Sequence, residues 1–387
     1  MSVRIGAACG LALSLLLAGC AAGNGHPHAH HSVVHQPVPA VSVTPLATDQ
    51  VIPTMPIVVR AQHGHLTRVA VNNTASGVTV TGALSPDRTS WTSTEPLGYG
   101  ASYLVKAAAT GKSGQTTQHT ATVHTVTPAV QAYPTVVPGP GQSVGVGQPV
   151  VVRFSHAVTD RAAALKALHV ASNPPQQGAW YWMSNTEVHY RPSVYWQPNT
   201  TVRVAVKDYG VNLGNGVYGQ TDRAETFSVH DSWIAKADGG TEKMRIYHNG
   251  TLVNTMPISL GKGKTPTHSG PHVISDKRPS VVMDSCTYGV CKGQPGYYKE
   301  TVLLDERISN DGEFVHAAPW SVGQQGSSNV SHGCVNLSQA NAQWFYGHFG
   351  IGDVVEISNS GGPPLPVWDT YGDWELSWAQ WQAGAAG

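Results

Sequence analysis

Thr201-Val202-Arg203-Val204-Ala205-Val206 is a short run dominated by β-branched residues, a composition that fits a pleated, half-buried strand better than a helix. Two similar runs precede it, Val150-Val151-Val152-Arg153-Phe154 and Glu187-Val188-His189-Tyr190, with Gly, Asn, Pro and Asp as punctuation between. That spacing predicts a small β-sandwich over residues 128–230. Further upstream Leu66-Thr67-Arg68-Val69-Ala70-Val71, Val78-Thr79-Val80 and Tyr103-Leu104-Val105 repeat the theme and predict a second sandwich over 46–127. Pro96 and Pro192 each sit between an aromatic strand and a following strand, a hint of internal duplication. Residues 162–168 are the one plausible helix in these two modules. Neither module gathers catalytic residue types; Trp180, Tyr181 and Trp182 leave two readings open, a sugar-stacking face or packing.

Composition points the same way. A chain of 387 residues suggests two to four domains. Only 12% of it is charged, and 23 basic residues balance 23 acidic ones. No global field therefore draws the protein to nucleic acid or anionic lipid, and a mainly β fold is expected.

Residues 231–357 read as a third domain. Trp233-Ile234-Ala235-Lys236 and Lys243-Met244-Arg245-Ile246-Tyr247 are strand-like, and His248-Asn249-Gly250-Thr251 supplies the Asn-Gly dipeptide of a tight hairpin. Ser338 suits the N-cap of a helix through Ala342 and Phe345 to Gly350, and Val354-Val355-Glu356-Ile357 closes with a strand. In the tail, 358–387, Trp374, Trp378 and Trp381 recur at helical spacing and are expected to pack one face against the catalytic domain or the preceding sandwich, with ligand binding as the alternative.

At the amino terminus Arg4 precedes an apolar run that ends in Leu17-Ala18-Gly19-Cys20, the small-residue pattern of an export signal. The pattern resembles the lipobox of bacterial lipoproteins, which implies removal of residues 1–19, a lipid on Cys20, and residence at the outer face of the cytoplasmic membrane, in the cell envelope or periplasmic space. Residues 20–45, with His26, His28, His30 and His31, read as a tether, or as a loose metal-binding tract. An oxidising compartment allows Cys286 and Cys291 to pair; separate thiols or weak metal ligands are the alternative. With those two paired, Cys334 is left free.

That last thiol lies in Ser331-His332-Gly333-Cys334-Val335-Asn336, with His316 upstream in Phe314-Val315-His316-Ala317-Ala318-Pro319-Trp320. A cysteine near a histidine in space is the minimum machinery for acyl transfer. The two stretches resemble the signature of the L,D-transpeptidases, cysteine enzymes that cross-link peptidoglycan. With the lipobox and two sandwich modules the chain is similar to mycobacterial members. The resemblance implies a mainly β protein: two Ig-like β-sandwich domains, a mostly β catalytic domain with one helix, and a Trp-rich C-terminal segment.

It also implies roles. Cys334 is the expected nucleophile and His316 its base, oriented by the carbonyl of Ala317, where relatives often carry serine. The backbone of Gly333 and Cys334 is expected to receive the oxyanion, with Tyr297 matching the tyrosine that relatives place near this hole and its neighbour Tyr298 as the alternative. His332 is expected to fix the loop. Two roles stay open for Asn336 and Ser331, substrate binding or bracing the turn. Met283, on a flap, and Trp320 match apolar positions along the donor path, with core packing as the alternative. The implied reaction releases D-alanine from a tetrapeptide stem and joins the acyl group to a diaminopimelate amine of a second stem, giving a 3→3 link. It needs no metal or cofactor. Carbapenems are expected to acylate the same cysteine. Two other readings remain open: an L,D-carboxypeptidase with water as acceptor, and a non-catalytic cell-wall-binding lipoprotein.

Overall fold

The structure, a computed structural model, describes residues 36–46 and 50–384; Cys20 and the His-rich tether lie outside them. Three hydrophobic cores follow one another along the chain. In the first module the sheet Ala40–Thr44, Val58–Gln62, Ser90–Ser93, Gly82–Leu84 faces the sheet Gln50–Val51, Thr116–Thr125, Ser102–Gly111, Gly64–Asn73. In the second, Pro134–Val137, Val150–Phe154, Glu187–Pro192, Gly178–Trp182 faces Ser143–Val144, Arg223–Val229, Thr201–Val206, Leu168–Asn173. The chain visits the positions of the two sandwiches in the same order, with a parallel edge pair in each, Gln50↔His124 and Ser143↔Ser228. The duplication hinted at by Pro96 and Pro192 is thus a shared topology. The second copy adds a small sheet of Asn212–Gly214, Val217–Gly219 and Val130–Ala132, and the helix Arg161–Ala167, capped by Asp160.

The third module pairs a five-stranded sheet, Thr251–Pro257, Lys243–His248, Trp233–Asp238, Val354–Ser358, Gly270–Val273, with a four-stranded one, Asp276–Asp284, Lys299–Arg307, Phe314–Ala317, Val335–Leu337. Helix Gln339–His348 begins at Ser338, whose hydroxyl accepts the Asn341 N–H, and buries Ala342 and Phe345 in the core with Val315, Ala317 and Leu337. The first two strands of the four-stranded sheet form a long hairpin whose tip, 285–298, wraps around the buried Ser285 hydroxyl. That hydroxyl donates to the carbonyls of Val290 and Tyr298 and accepts from the Tyr298 N–H. A disulfide joins Cys286 to Cys291 there.

The tail returns to the second sandwich. Trp381, fully buried, stacks on Tyr181 and donates its Nε1–H to the Ala179 carbonyl at 2.8 Å. The Arg191 guanidinium lies 4.6 Å from the ring centres of Trp374 and Trp381 and 5.7 Å from that of Trp378. His189 bridges Glu187 at 2.7 Å and Asp373 at 2.8 Å. The three tryptophans do not share one helix face. Trp374 sits in a 3-10 turn, Gly372–Glu375, and the helix is Trp378–Gly384. They meet around a cation contributed from far upstream. Trp182 stacks on Phe154 and Trp180 lies edge-on to Tyr190, so the aromatic trio of this module is packing. The sandwich also meets the catalytic domain backbone to backbone. Gly145 and Gly147 donate to the carbonyls of Ile351 and Gly352, and a Cβ on Gly145 would come within 2.2 Å of the Asp353 nitrogen.

Candidate active site

Phe314–Ala317 and Val335–Leu337 run parallel, pairing Val315 with Val335, His316 with Asn336 and Ala317 with Leu337. Side chains alternate across a strand, so Val315, Ala317, Val335 and Leu337 enter the core while His316, Asn336 and Cys334 share the other face. Register, not sequence proximity, puts the thiol and the imidazole on the wall of one cavity.

They line a cavity of about 220 Å³ with Met283, Tyr298, Glu300, Val302, Trp320, Ser321, Val330, Ser331 and His332. His316 is buried, and its Nδ1–H donates to the Ala317 carbonyl at 2.9 Å. A carbonyl only accepts, which fixes the tautomer and leaves Nε2 with its lone pair. Burial pushes the imidazole pKa down to about 4, with the Ala317 bond opposing. Burial also pushes the Cys334 thiol up to about 12, against a hydrogen bond from the Phe314 backbone. The resting pair is neutral, and the thiol donates to the Gly312 carbonyl at 3.7 Å.

The loop around the thiol is braced from inside. Gly333 has φ +129°, in the region that favours glycine. Its N–H, expected as an oxyanion donor, is donated to Ser331 Oγ at 3.1 Å, while Ser331 Oγ–H donates to the Cys334 carbonyl at 2.6 Å. Ser331 therefore braces the turn. Asn336, which lines the cavity, donates Nδ2–H to Ser321 Oγ at 3.1 Å. His332 is exposed at the rim, its Nε2 2.8 Å from Lys262 Nζ and its ring 5.0 Å from that of Tyr298. Trp320 is half exposed, 6.0 Å from the His316 ring centre. Met283 reaches the cavity from the hairpin.

One expectation needs correction: Tyr298, not Tyr297, lines the cavity. The Tyr298 N–H bonds to Ser285, and its carbonyl accepts from the same residue, which sets its ring toward the site. The irregular stretch before it offers no periodicity from which to phase the two tyrosines. Gly312, Ser321, Glu300 and Lys262 are further residues that sequence reasoning did not single out. So is Glu313, which stands behind Gly333 and accepts from the His268 N–H at 2.8 Å and its Nδ1 at 3.1 Å. Burial opposes ionisation of Glu313, but His268 and His272 prevail and hold it below the usual carboxylate range. His268, Asp311 and Glu313 are the one group among the described residues spaced to hold a cation, and His268 already bridges the two carboxylates at 3.7 and 3.1 Å.

A second cavity of about 380 Å³ shares Met283 and Tyr298 with the first and is also lined by Arg307, Asp311, Gly312 and Phe314. Because Gly312 accepts from the thiol, Cys334 lies where the two cavities approach.

Comparison with known proteins adds the family. Residues 48–212 match the model of a bacterial Ig domain and 232–357 that of an L,D-transpeptidase catalytic domain. The chain is 45% identical over 331 residues to L,D-transpeptidase 2 of Mycobacterium tuberculosis (strain CDC 1551 / Oshkosh), covering 86% of this chain and 81% of that one. It is 34% identical over 358 residues to L,D-transpeptidase 5 of Mycobacterium tuberculosis (strain ATCC 25618 / H37Rv), covering 90% and 78%. Among solved structures it is similar to the LD transpeptidase LdtMt1 in complex with imipenem, at 36% identity and a TM-score of 0.52, covering 58% of this chain and 97% of that one.

Proposed function

The chain belongs to the L,D-transpeptidase family, an acyltransferase, and from that premise we propose that it forms 3→3 cross-links in peptidoglycan through a thioester on Cys334. The Cys334 sulfur attacks the carbonyl that joins the third residue of a tetrapeptide stem, diaminopimelate, to its terminal D-alanine. The thiol proton passes to His316 Nε2 and from there to the departing D-alanine nitrogen. The side-chain amine of a second stem then attacks the thioester, returns a proton through His316, and restores the thiol.

The observation that carries this reading is the strand register that places Cys334 and His316 on one face, with His316 Nδ1–H committed to Ala317 and Nε2 free to take a proton. Both groups are neutral at rest because burial penalises each charge. Proton transfer is then coupled to approach of the substrate carbonyl, when charge on sulfur passes directly into the new bond. Met283 and Tyr298, which line the same cavity as the thiol, limit the access of water that would hydrolyse the thioester. The imipenem complex of the similar enzyme supports carbapenem acylation of this cysteine as well. For the amino terminus we propose cleavage before Cys20 and a lipid anchor that holds the enzyme on the outer face of the cytoplasmic membrane. Cys20→Ala should move the protein from the membrane to the soluble fraction.

The test is incubation with purified tetrapeptide muropeptides followed by mass spectrometry. Dimers lacking one D-alanine, formed by the wild type and absent with Cys334→Ala, support the proposal. Trimmed monomers alone would make it a carboxypeptidase.

A further inference from the structure

The rim of the first cavity carries a positive charge that nothing in the reaction above uses. Segment 261–267 is stitched to the catalytic loop. Gly261 bridges Ser331, the Lys262 N–H donates to the Ser331 carbonyl at 3.0 Å, and Thr267 Oγ1–H donates to the Gly333 carbonyl at 2.7 Å. The Lys262 backbone is therefore fixed relative to Cys334. Its ammonium lies 2.8 Å from His332 Nε2. An ammonium only donates, so Nε2 accepts and the proton of a neutral His332 sits on Nδ1. Burial and the Lys262 charge both hold His332 below its ordinary pKa.

Lys262, like Lys243, Lys264 and Lys292, faces no carboxylate among the described residues, but it alone of these is held against a residue that lines the cavity. Lys236, Lys277 and Lys299 each face a carboxylate, at 3.0, 3.5 and 3.0 Å. Among the described residues Lys262 has a neutral imidazole instead, so its charge is uncompensated and two of its three N–H donors remain open. An exposed ammonium held 2.8 Å from a cavity-lining imidazole, with spare donors, suits a carboxylate.

We propose that Lys262, held in place by His332, reads a carboxylate of the donor stem. The idea rests on the peptidoglycan reading above, in which the donor carries two candidates: the terminal carboxylate, one residue beyond the attacked carbonyl, and the carboxylate on the diaminopimelate side chain. Lys262 is then a specificity-determining residue, and His332 is its holder rather than a base.

The experiment measures binding by calorimetry in the Cys334→Ala background, so that no turnover is needed. Three tetrapeptide stems are compared: the free acid, the terminal amide and the side-chain amide. One amide should bind about tenfold more weakly than the acid, and which one identifies the carboxylate that is read. Lys262→Met should shrink that difference to less than about twofold, and Lys262→Arg should keep most of it. Equal weakening of all three stems by Lys262→Met would mark a merely structural lysine and overturn the proposal. So would a wild-type site that does not separate acid from amide, or a difference that survives in Lys262→Met. Intact carboxylate discrimination without dimer formation by the wild type would instead reject the transpeptidation reading and leave the subsite standing.

Discussion

The wall that carries Cys334 and His316 is a parallel pair of strands, every residue of which is buried. The hairpin across the cavity, Asp276–Asp284 with Lys299–Arg307, leaves Val282 and Leu303 about half exposed. Both line the same space, yet the wall is buried throughout, whereas the hairpin is tied to the core and helix only at its base, where Lys277 donates to the Phe349 carbonyl and Val302 and Glu306 are buried, and ends in a self-contained tip. The difference separates two tasks. The groups proposed to react sit on a surface that cannot shift without disturbing the core, while the far half of the hairpin has the fewer buried side chains.

The sharpest way to break this contrast is to remove the base. His316→Gln should lower the rate of carbapenem acylation about 10²- to 10⁴-fold, read by mass spectrometry of the adduct; a loss under about tenfold would move proton transfer elsewhere. Stability should divide along the same line. Leu337→Ala, fully buried in the wall, should cost about 2–5 kcal/mol in denaturant unfolding, whereas Leu303→Ala on the hairpin should stay within about 0.5 kcal/mol.

The pH dependence tests the neutral pair. With the thiol near 12, alkylation of the free enzyme by iodoacetamide should rise about tenfold per pH unit between about pH 7 and 10 without a plateau. With the imidazole near 4, His316 is already a competent base above that value, so the acid limb of acyl transfer should fall near pH 4 rather than near 6.5. A plateau in alkylation by neutral pH would show a thiolate–imidazolium pair instead. The smallest effect belongs to the hairpin tip. Cys286→Ser with Cys291→Ser opens a link across only five positions, so the global unfolding midpoint should barely move. Carbapenem acylation should change about two- to tenfold, because the tip positions Met283 and Tyr298. Unchanged acylation would show that Ser285 alone holds the tip.

The same contrast explains what was legible in the sequence. Strands rich in β-branched residues announced both sandwiches, and Ser338 announced its helix, because those signals are local. Cys334 and His316 were readable from residue type and resemblance, although the parallel register that joins them has no signature of its own. Tyr298 was not separable from Tyr297, since the tip between Ser285 and Tyr298 is shaped by one buried hydroxyl rather than by a repeating pattern. Lys262 and Glu313 were invisible for a different reason. Their partners His332 and His268 lie 70 and 45 positions away. The tryptophan tail was half legible: aromatic packing was expected, but Arg191, the cation at its centre, carries no mark that distinguishes it from a surface arginine.

That tail has a mechanical consequence. The catalytic domain leaves the second sandwich through the strand beginning at Trp233 and comes back to it through Trp374, Trp378 and Trp381. A pull on the catalytic domain is therefore shared in parallel by the chain connection at Trp233, the tryptophan clasp and the backbone bonds of Gly145 and Gly147 to Ile351 and Gly352. The junction of the two sandwiches carries a smaller clasp of its own, where Tyr99 and Tyr209 hold the opposing backbones through hydrogen bonds of 2.6 and 2.7 Å.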